Sequence, residues 1–277
     1  MARGLLGASL VVLLVSLIAA AGLGCHSLAG MEEFGLVWSD EFDGEPGDSP
    51  DSTRWTFDIG NGAGGWGNNQ LEYDTNRPVN VSLDGQGNLA ITARREDYLD
   101  WDYTSGRINT RYKFSRTRGR FEARIKLPIG QGIWPAFWLL GSNIGPVGWP
   151  DCGEIDIMEY LGHDPDRVYG TLHGPGYSGG SAVGGSYTLQ EGGFNEDFHV
   201  FAIEWRSDSV TWEVDGVPYQ TKTPGDLPPG APWVFNHDFF IILNVAVGGH
   251  WPGPPDETTV FPQTMLVDWV RVYGIPS

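Results

Sequence analysis

Within six positions, the stretch Glu154-Ile155-Asp156-Ile157-Met158-Glu159 sets three carboxylates among apolar and β-branched residues, and no other feature of the chain restricts its fold as much. In a β-strand successive side chains alternate faces, so Glu154 and Asp156 share one face while Ile155 and Ile157 take the other. Strict alternation would send Glu159 to the apolar side. One extra residue, a β-bulge at the Ile157-Met158 step, restores the parity and returns Glu159 to the carboxylate face. Asp and Glu are poor strand formers, and like charges side by side on one face repel. An acidic face turned simply to water is the plain alternative, but a face that costs this much stability points to chemistry.

Glutamates at 154 and 159 that lean together would bring their carboxyls toward the roughly 5–5.5 Å separation used in retaining glycoside hydrolysis. A metal reading of Glu154, Asp156, Glu159 and His163 is weaker, because Gly162-His163-Asp164-Pro165 reads as a turn.

The rest of the chain supplies the sheet for this strand. Forty glycines, 19 prolines and 12 tryptophans suit many short strands joined by turns, with an aromatic-lined groove, better than helices. Leu89 to Ala93 follows the turn Asp84-Gly85-Gln86-Gly87 as the second arm of a hairpin. Tyr103 to Thr110 reads as one strand, and Arg120 to Leu127 alternates with Phe121, Ala123, Ile125 and Leu127 on its apolar face. Trp134, Ala136 and Trp138 share a face opposite Phe137 and Leu139, so one side of that strand is core and the other is core or a ligand floor. Because it directly precedes the carboxylate strand, the two are expected to be neighbours. Further strands are read at Val168 to His173, Phe198 to Trp205, Val210 to Val214, Phe239 to Val247 and Met265 to Tyr273. The loop Gly60 to Asn69 is too glycine-rich to hold itself by propensity, and it presents Trp66 and Asn68 either to a ligand or to the core.

A net charge of −18 argues against nucleic acid and anionic membrane surfaces as partners. Residues 1–25 carry Arg3, an apolar run from Leu5 to Ala21 and small residues before Cys25, the pattern of an export signal. Gly22-Leu23-Gly24-Cys25 resembles a lipobox with its Leu one place nearer the Cys than usual, so the expectation is an exported protein, lipid-anchored at Cys25 or cleaved near Ala29. Cys152 is then left alone, and a packed, inert thiol is expected.

The stretch Gly148-Trp149-Pro150-Asp151-Cys152-Gly153-Glu154-Ile155-Asp156-Ile157-Met158-Glu159-Tyr160 resembles the motif of glycoside hydrolase family 16, in its laminarinase-like endo-1,3-β-glucanase branch. The resemblance extends to Trp66 through Tyr73, Ser105 through Ile108, Gly170 through Gly174 and Gly248 through Gly253. It implies an all-β fold, a β-jelly-roll sandwich of two curved antiparallel sheets with a concave substrate cleft. After the export signal (1–25) and a short tether (26–35), residues 36–275 would form the catalytic domain. By resemblance Glu154 is the nucleophile, Glu159 the acid/base and Asp156 their support, while Asn68, Arg107, Trp134, Trp138, His173 and Trp251 contact the sugar. The inserted Met158 resembles laminarinases, agarases and carrageenases rather than mixed-linkage glucanases. Asp74 and His250 depart from the pattern, which commonly has Tyr and Asn there. The resemblance also implies no cofactor for catalysis and a structural calcium held by the carbonyls of Glu41 and Gly87 and the carboxylate of Asp268. The expected partner is a β-glucan and the expected state a monomer. A non-catalytic glucan-binding module and an agarase- or carrageenase-type hydrolase are the alternatives. The paired glutamates argue against the first, and the scarcity of basic residues argues against a sulfated substrate.

Overall fold

The structure, a computed structural model, describes residues 35–274; the export signal, Cys25 and the tether up to residue 34 lie outside the described residues. In chain order the strands are β1 (Gly35–Asp40), β2 (Thr56–Phe57), β3 (Glu72–Asp74), β4 (Val81–Leu83), β5 (Leu89–Tyr98), β6 (Trp101–Ser105), β7 (Arg107–Asn109), β8 (Gly119–Lys126) and β9 (Ile133–Gly141). They continue as β10 (Glu154–Tyr160), β11 (Arg167–His173), β12 (Val183–Thr188), β13 (His199–Trp205), β14 (Val210–Val214), β15 (Val217–Lys222), β16 (Phe239–Val247) and β17 (Gln263–Gly274). One sheet runs β15-β14-β13-β8-β17-β5-β6-β3, with β1 paired to β17 and β4 to β5. The other runs β12-β11-β10-β9-β16-β7-β2. Pairing is antiparallel except between β3 and β6.

The expected two-sheet, all-β architecture is therefore present, and its core follows from period-2 alternation. Phe121, Ala123 and Ile125 of β8 are fully buried against Phe137, Leu139, Ile155 and Leu243 of the facing sheet, together with Trp205 and Trp212. β16 is buried at every position because it is central: Phe239, Ile241, Leu243, Val245 and Val247 enter the core between the sheets, while Phe240 and Ile242 lie on the outward face. The same division explains β9, whose Phe137 and Leu139 are core while Trp134 and Trp138 line a cleft.

One expected strand is two. The run from Tyr103 to Thr110 breaks at Gly106, where the chain leaves the larger sheet at Ser105 and enters the smaller one at Arg107. The backbone passes so close to Val81 that a Cβ at Gly106 would stand 2.1 Å from Val81 Cγ2. Alternation continues through the step, so periodicity alone cannot show a change of sheet.

The bulge in β10 lies where the parity argument requires it. Against β9, Asp156 is opposite Trp138 and Met158 opposite Phe137, two steps on one strand for one on the other. Ile157 and Met158 both enter the core, and Glu159 returns to the face of Glu154. From the other sheet, the buried Trp212 indole N–H donates to the Asp156 carbonyl at 2.7 Å, fastening the irregular backbone.

Candidate active site

The outward face of the seven-stranded sheet lines a cleft of about 1020 Å3. All nine residues expected at the site border it: Asn68 from the glycine-rich loop, Arg107 from β7, Trp134 and Trp138 from β9, Glu154, Asp156 and Glu159 from β10, His173 from β11, and Trp251 from the loop after β16. Cys152, beside Glu154, is fully buried against Leu140, Phe240 and Ile242, and burial pushes its thiol up to about 11. It is the inert thiol expected. His163 lies in an exposed turn.

Each carboxyl has a distinct setting. Glu154 Oε2 accepts the Trp149 indole N–H at 3.1 Å, and Glu159 Oε1 accepts the Trp134 indole N–H at 3.2 Å. The Gly179 N–H donates to His173 Nδ1 at 3.1 Å, so a neutral His173 carries its proton on Nε2. That nitrogen stands 3.0 Å from Asp156 Oδ2 and 3.7 Å from Glu154 Oε1. Among the described residues the Asp156 oxygen has no aligned hydrogen-bond donor, so its contact with His173 is electrostatic. Glu154 is thus directed to Trp149 and Asp156 to His173.

Burial dominates the protonation of all three. It raises Asp156 well above the usual carboxylate range. Burial and the Asp156 charge push Glu154 up to about 7, while His173, Arg107 and the Trp149 N–H favour its ionised form. Glu159 is driven well above its ordinary value by burial, then by Asp156 and Glu154, with His173 and the Trp134 N–H opposing. Arg107 and its positive charge thus favour an anion at Glu154. Two carboxyls held apart in this way can divide acid and base roles.

Around them the walls are aromatic. Trp251 packs edge-on to Trp134 and to Tyr169, with ring centres 5.7 and 4.9 Å apart. Trp138 donates to Asn244 Oδ1 at 2.8 Å, and the Arg107 guanidinium lies over its ring. Flat rings with nearby amides and the guanidinium groups of Arg107 and Arg111 suit a sugar, whose C–H faces pack on aromatics while its hydroxyls reach polar groups.

A model of the glycosyl hydrolases family 16 matches residues 65–271. This chain belongs to that family. It is 42% identical to a β-glucanase of Rhodothermus marinus over 271 residues, covering 94% of this chain and 92% of that protein. Among solved structures, the laminarinase catalytic domain of Thermotoga maritima MSB8 is 54% identical with a TM-score of 0.84, covering 89% of this chain and 100% of that one. The endo-β-1,3-glucanase of Pyrococcus furiosus is 50% identical with a TM-score of 0.83, covering 88% and 95%. The family-16 chain is a glycoside hydrolase with the jelly-roll fold of these neighbours.

Several residues of the family-16 cleft escaped the sequence argument. Trp149 was read only as part of the motif, yet its indole holds Glu154. Asp58, Asn244 and Tyr169 line the cleft from three separate segments. Nothing in local alternation marks them, since their roles depend on which strands the sheet places side by side.

The expected calcium ligands converge in part. On one edge of β17, β1 ends with Asp40 opposite Val270 and β5 begins with Leu89 opposite Val267. Glu41 and Gly87 therefore reach the same gap from opposite ends, beside Asp268 in a bulge of β17. The Asp268 carboxylate itself accepts Arg124 Nη1 at 2.5 Å. The one carboxylate of the expected set is therefore engaged by Arg124.

Proposed function

We propose that this family-16 enzyme is a retaining endo-glycosidase that hydrolyses internal β-1,3 linkages of laminarin-type β-glucans by double displacement. The observation that carries the reading is the bulge that returns Glu159 to the face of Glu154, with Asp156 between them and indoles on both carboxyls. Glu154, ionised, attacks the anomeric carbon and forms a glycosyl ester, while Glu159 gives its proton to the departing oxygen. Water then attacks that carbon, Glu159 takes the water's proton, and Glu154 leaves. Arg107 and the Trp149 N–H support the anion at Glu154; burial and the neighbouring carboxyls keep the proton on Glu159. Asp156 supports the pair electrostatically. Asn68, Arg107, Trp134, Trp138, His173 and Trp251 would hold the glucan, and the chemistry needs no cofactor. The named glucanase relatives favour β-1,3-glucan over a galactan, and the presence of both glutamates favours an enzyme over a binding module.

Activity on laminarin and curdlan, exceeding that on lichenan, agarose and carrageenan, is expected by reducing-sugar assay. NMR of the first product should show the β-anomer; an α-configured product would make the enzyme inverting and overturn the roles. Glu154→Gly with azide and an activated β-glycoside should yield the α-azide, and Glu159→Ala the β-azide.

A calcium at the Glu41 and Gly87 carbonyls and the Asp268 carboxylate would stabilise the native state alone, after displacing Arg124 from Asp268. EDTA should lower the melting temperature of wild type and leave that of Asp268→Ala unchanged; an indifferent wild type removes the site. Export is inferred from residues 1–25. Mass spectrometry of the mature N-terminus decides between acylated Cys25 and an unmodified start near Gly30.

A further inference from the structure

The loop from Gly60 to Asn69 holds Trp66 in the left-handed region, at φ 52°, which a bulky L-residue adopts only where its surroundings impose it. One face of the indole lies on Gly62, where a Cβ would stand 2.4 Å from Trp66 Cε3. The other face covers the Arg107 guanidinium, whose Cζ is 4.4 Å from the Trp66 ring centre and 4.8 Å from that of Trp138. Arg107 is thus clamped between two indoles. Its Nε donates to Asp58 at 3.0 Å, and among the described residues no side chain or carbonyl accepts from its Nη groups, which remain for a ligand in the cleft.

What holds Trp66 is Asp74. The indole N–H donates to Asp74 Oδ2 at 2.9 Å, and the Asp74 backbone pairs with Gly60 in both directions, at 2.8 and 2.9 Å. Asp74 is 1% exposed, its Oδ1 has no hydrogen-bond partner among the described residues, and the equally buried Glu72 stands two residues away on the same strand face. A buried carboxylate with one oxygen unpaired and a like-charged neighbour is costly to fold. Neither displacement step at Glu154 and Glu159 touches it. Its side chain accepts instead from the indole that clamps Arg107.

We propose that Asp74 is a positioning residue: by fixing the Trp66 indole it presents Arg107 to the bound glycan, setting affinity without entering the bond-breaking steps. The proposal rests on the glycan-hydrolase reading above. It also accounts for an acid buried where its contribution to folding is unfavourable.

The test is kinetics on laminarin with melting temperatures measured alongside. Asp74→Ala should raise KM about fivefold, the equivalent of one net hydrogen bond, with a smaller change in kcat. Asp74→Asn keeps the acceptor and should restore KM. Trp66→Phe, which keeps the stack but has no N–H, should raise KM to the same extent, and the double variant should be no worse than either single one. Because Asp74→Ala removes a buried carboxylate, its melting temperature should not fall in step with the loss of affinity. An unchanged KM in Trp66→Phe, independent addition of the two substitutions, or a KM rise that tracks unfolding would overturn the proposal. Should Asp74→Ala fail to fold, Trp66→Phe and Asp74→Asn decide it. A wild type that leaves laminarin intact sinks the glucan reading instead, and the same variants are then compared on whichever polysaccharide of the panel is cleaved.

Discussion

At the scale of single residues, the site works by giving chemically equal carboxyls unequal surroundings. Glu154 and Glu159 leave the same strand toward the same cleft, yet Glu154 has Arg107 and a half-exposed indole favouring its charge. The acidic limb of kcat/KM should therefore follow Glu154 near its raised value of about 7, since its protonation removes the nucleophile. The basic limb follows Glu159, whose deprotonation removes the acid. Trp149→Phe takes away a donor to the ionised form, so the acidic limb should move to higher pH. The activity lost below neutrality should be roughly threefold, less than a buried charged hydrogen bond would carry, because Trp149 is 48% exposed. A pH-rate profile identical to wild type would remove Trp149 from the mechanism.

At the scale of elements, the bulge in β10 is the device that matters, and it is fastened from outside its own sheet. The Trp212 N–H reaches the Asp156 carbonyl across the core. Trp212→Phe keeps most of the packing but takes a donor away from that buried carbonyl, at a cost of about 1 kcal/mol. Denaturant unfolding should show the loss, and kcat should fall with it because the register of Glu159 loosens. Unchanged kcat in a destabilised variant would mean that the bulge holds itself. The sequence carried half of this element: parity demanded an extra residue, and the mixture of Ile157 and Met158 located it. The indole that fastens it lies 56 residues away, a separation that no local pattern spans. Gly106 is a similar case, its change of sheet dictated by contact with Val81.

At the scale of the whole molecule, the buried carboxyls in and beside the cleft oppose stability. Glu72 and Glu154 are each pushed up to about 7, and Asp74, Asp156 and Glu159 are raised as well, in every case chiefly by burial. A carboxyl raised in the folded state favours folding while both states hold the proton, and that contribution is lost as pH rises from the unfolded value through the folded one. For Glu154, moving from 4.5 to about 7, this amounts to at most about 3 kcal/mol by pH 8. Surface pairs act oppositely: Glu41 and Glu96 are lowered, chiefly by Arg271 and Arg77, so their contribution is lost in acid. Melting temperature should accordingly peak near pH 5 and decline toward pH 8. Glu154→Gln and Glu159→Gln should each raise it at pH 8 and flatten the decline. A wild type more stable at pH 8 than at pH 5 would contradict this account.

What the sequence determined by itself was everything governed by short-range periodicity: the strands, the apolar faces that make the core, and the carboxylate face with its need for a bulge. Alternation is a local property of an extended chain, so it is written in consecutive residues. Only the tertiary structure decided which strands lie side by side, and therefore that Trp149 meets Glu154, that His173 meets Asp156, and that Trp66 closes over Arg107 under the hold of Asp74. It also placed the Asp268 carboxylate on Arg124. These contacts join residues from separate strands and loops, and their geometry depends on twist, register and burial that exist only once the sheets have packed.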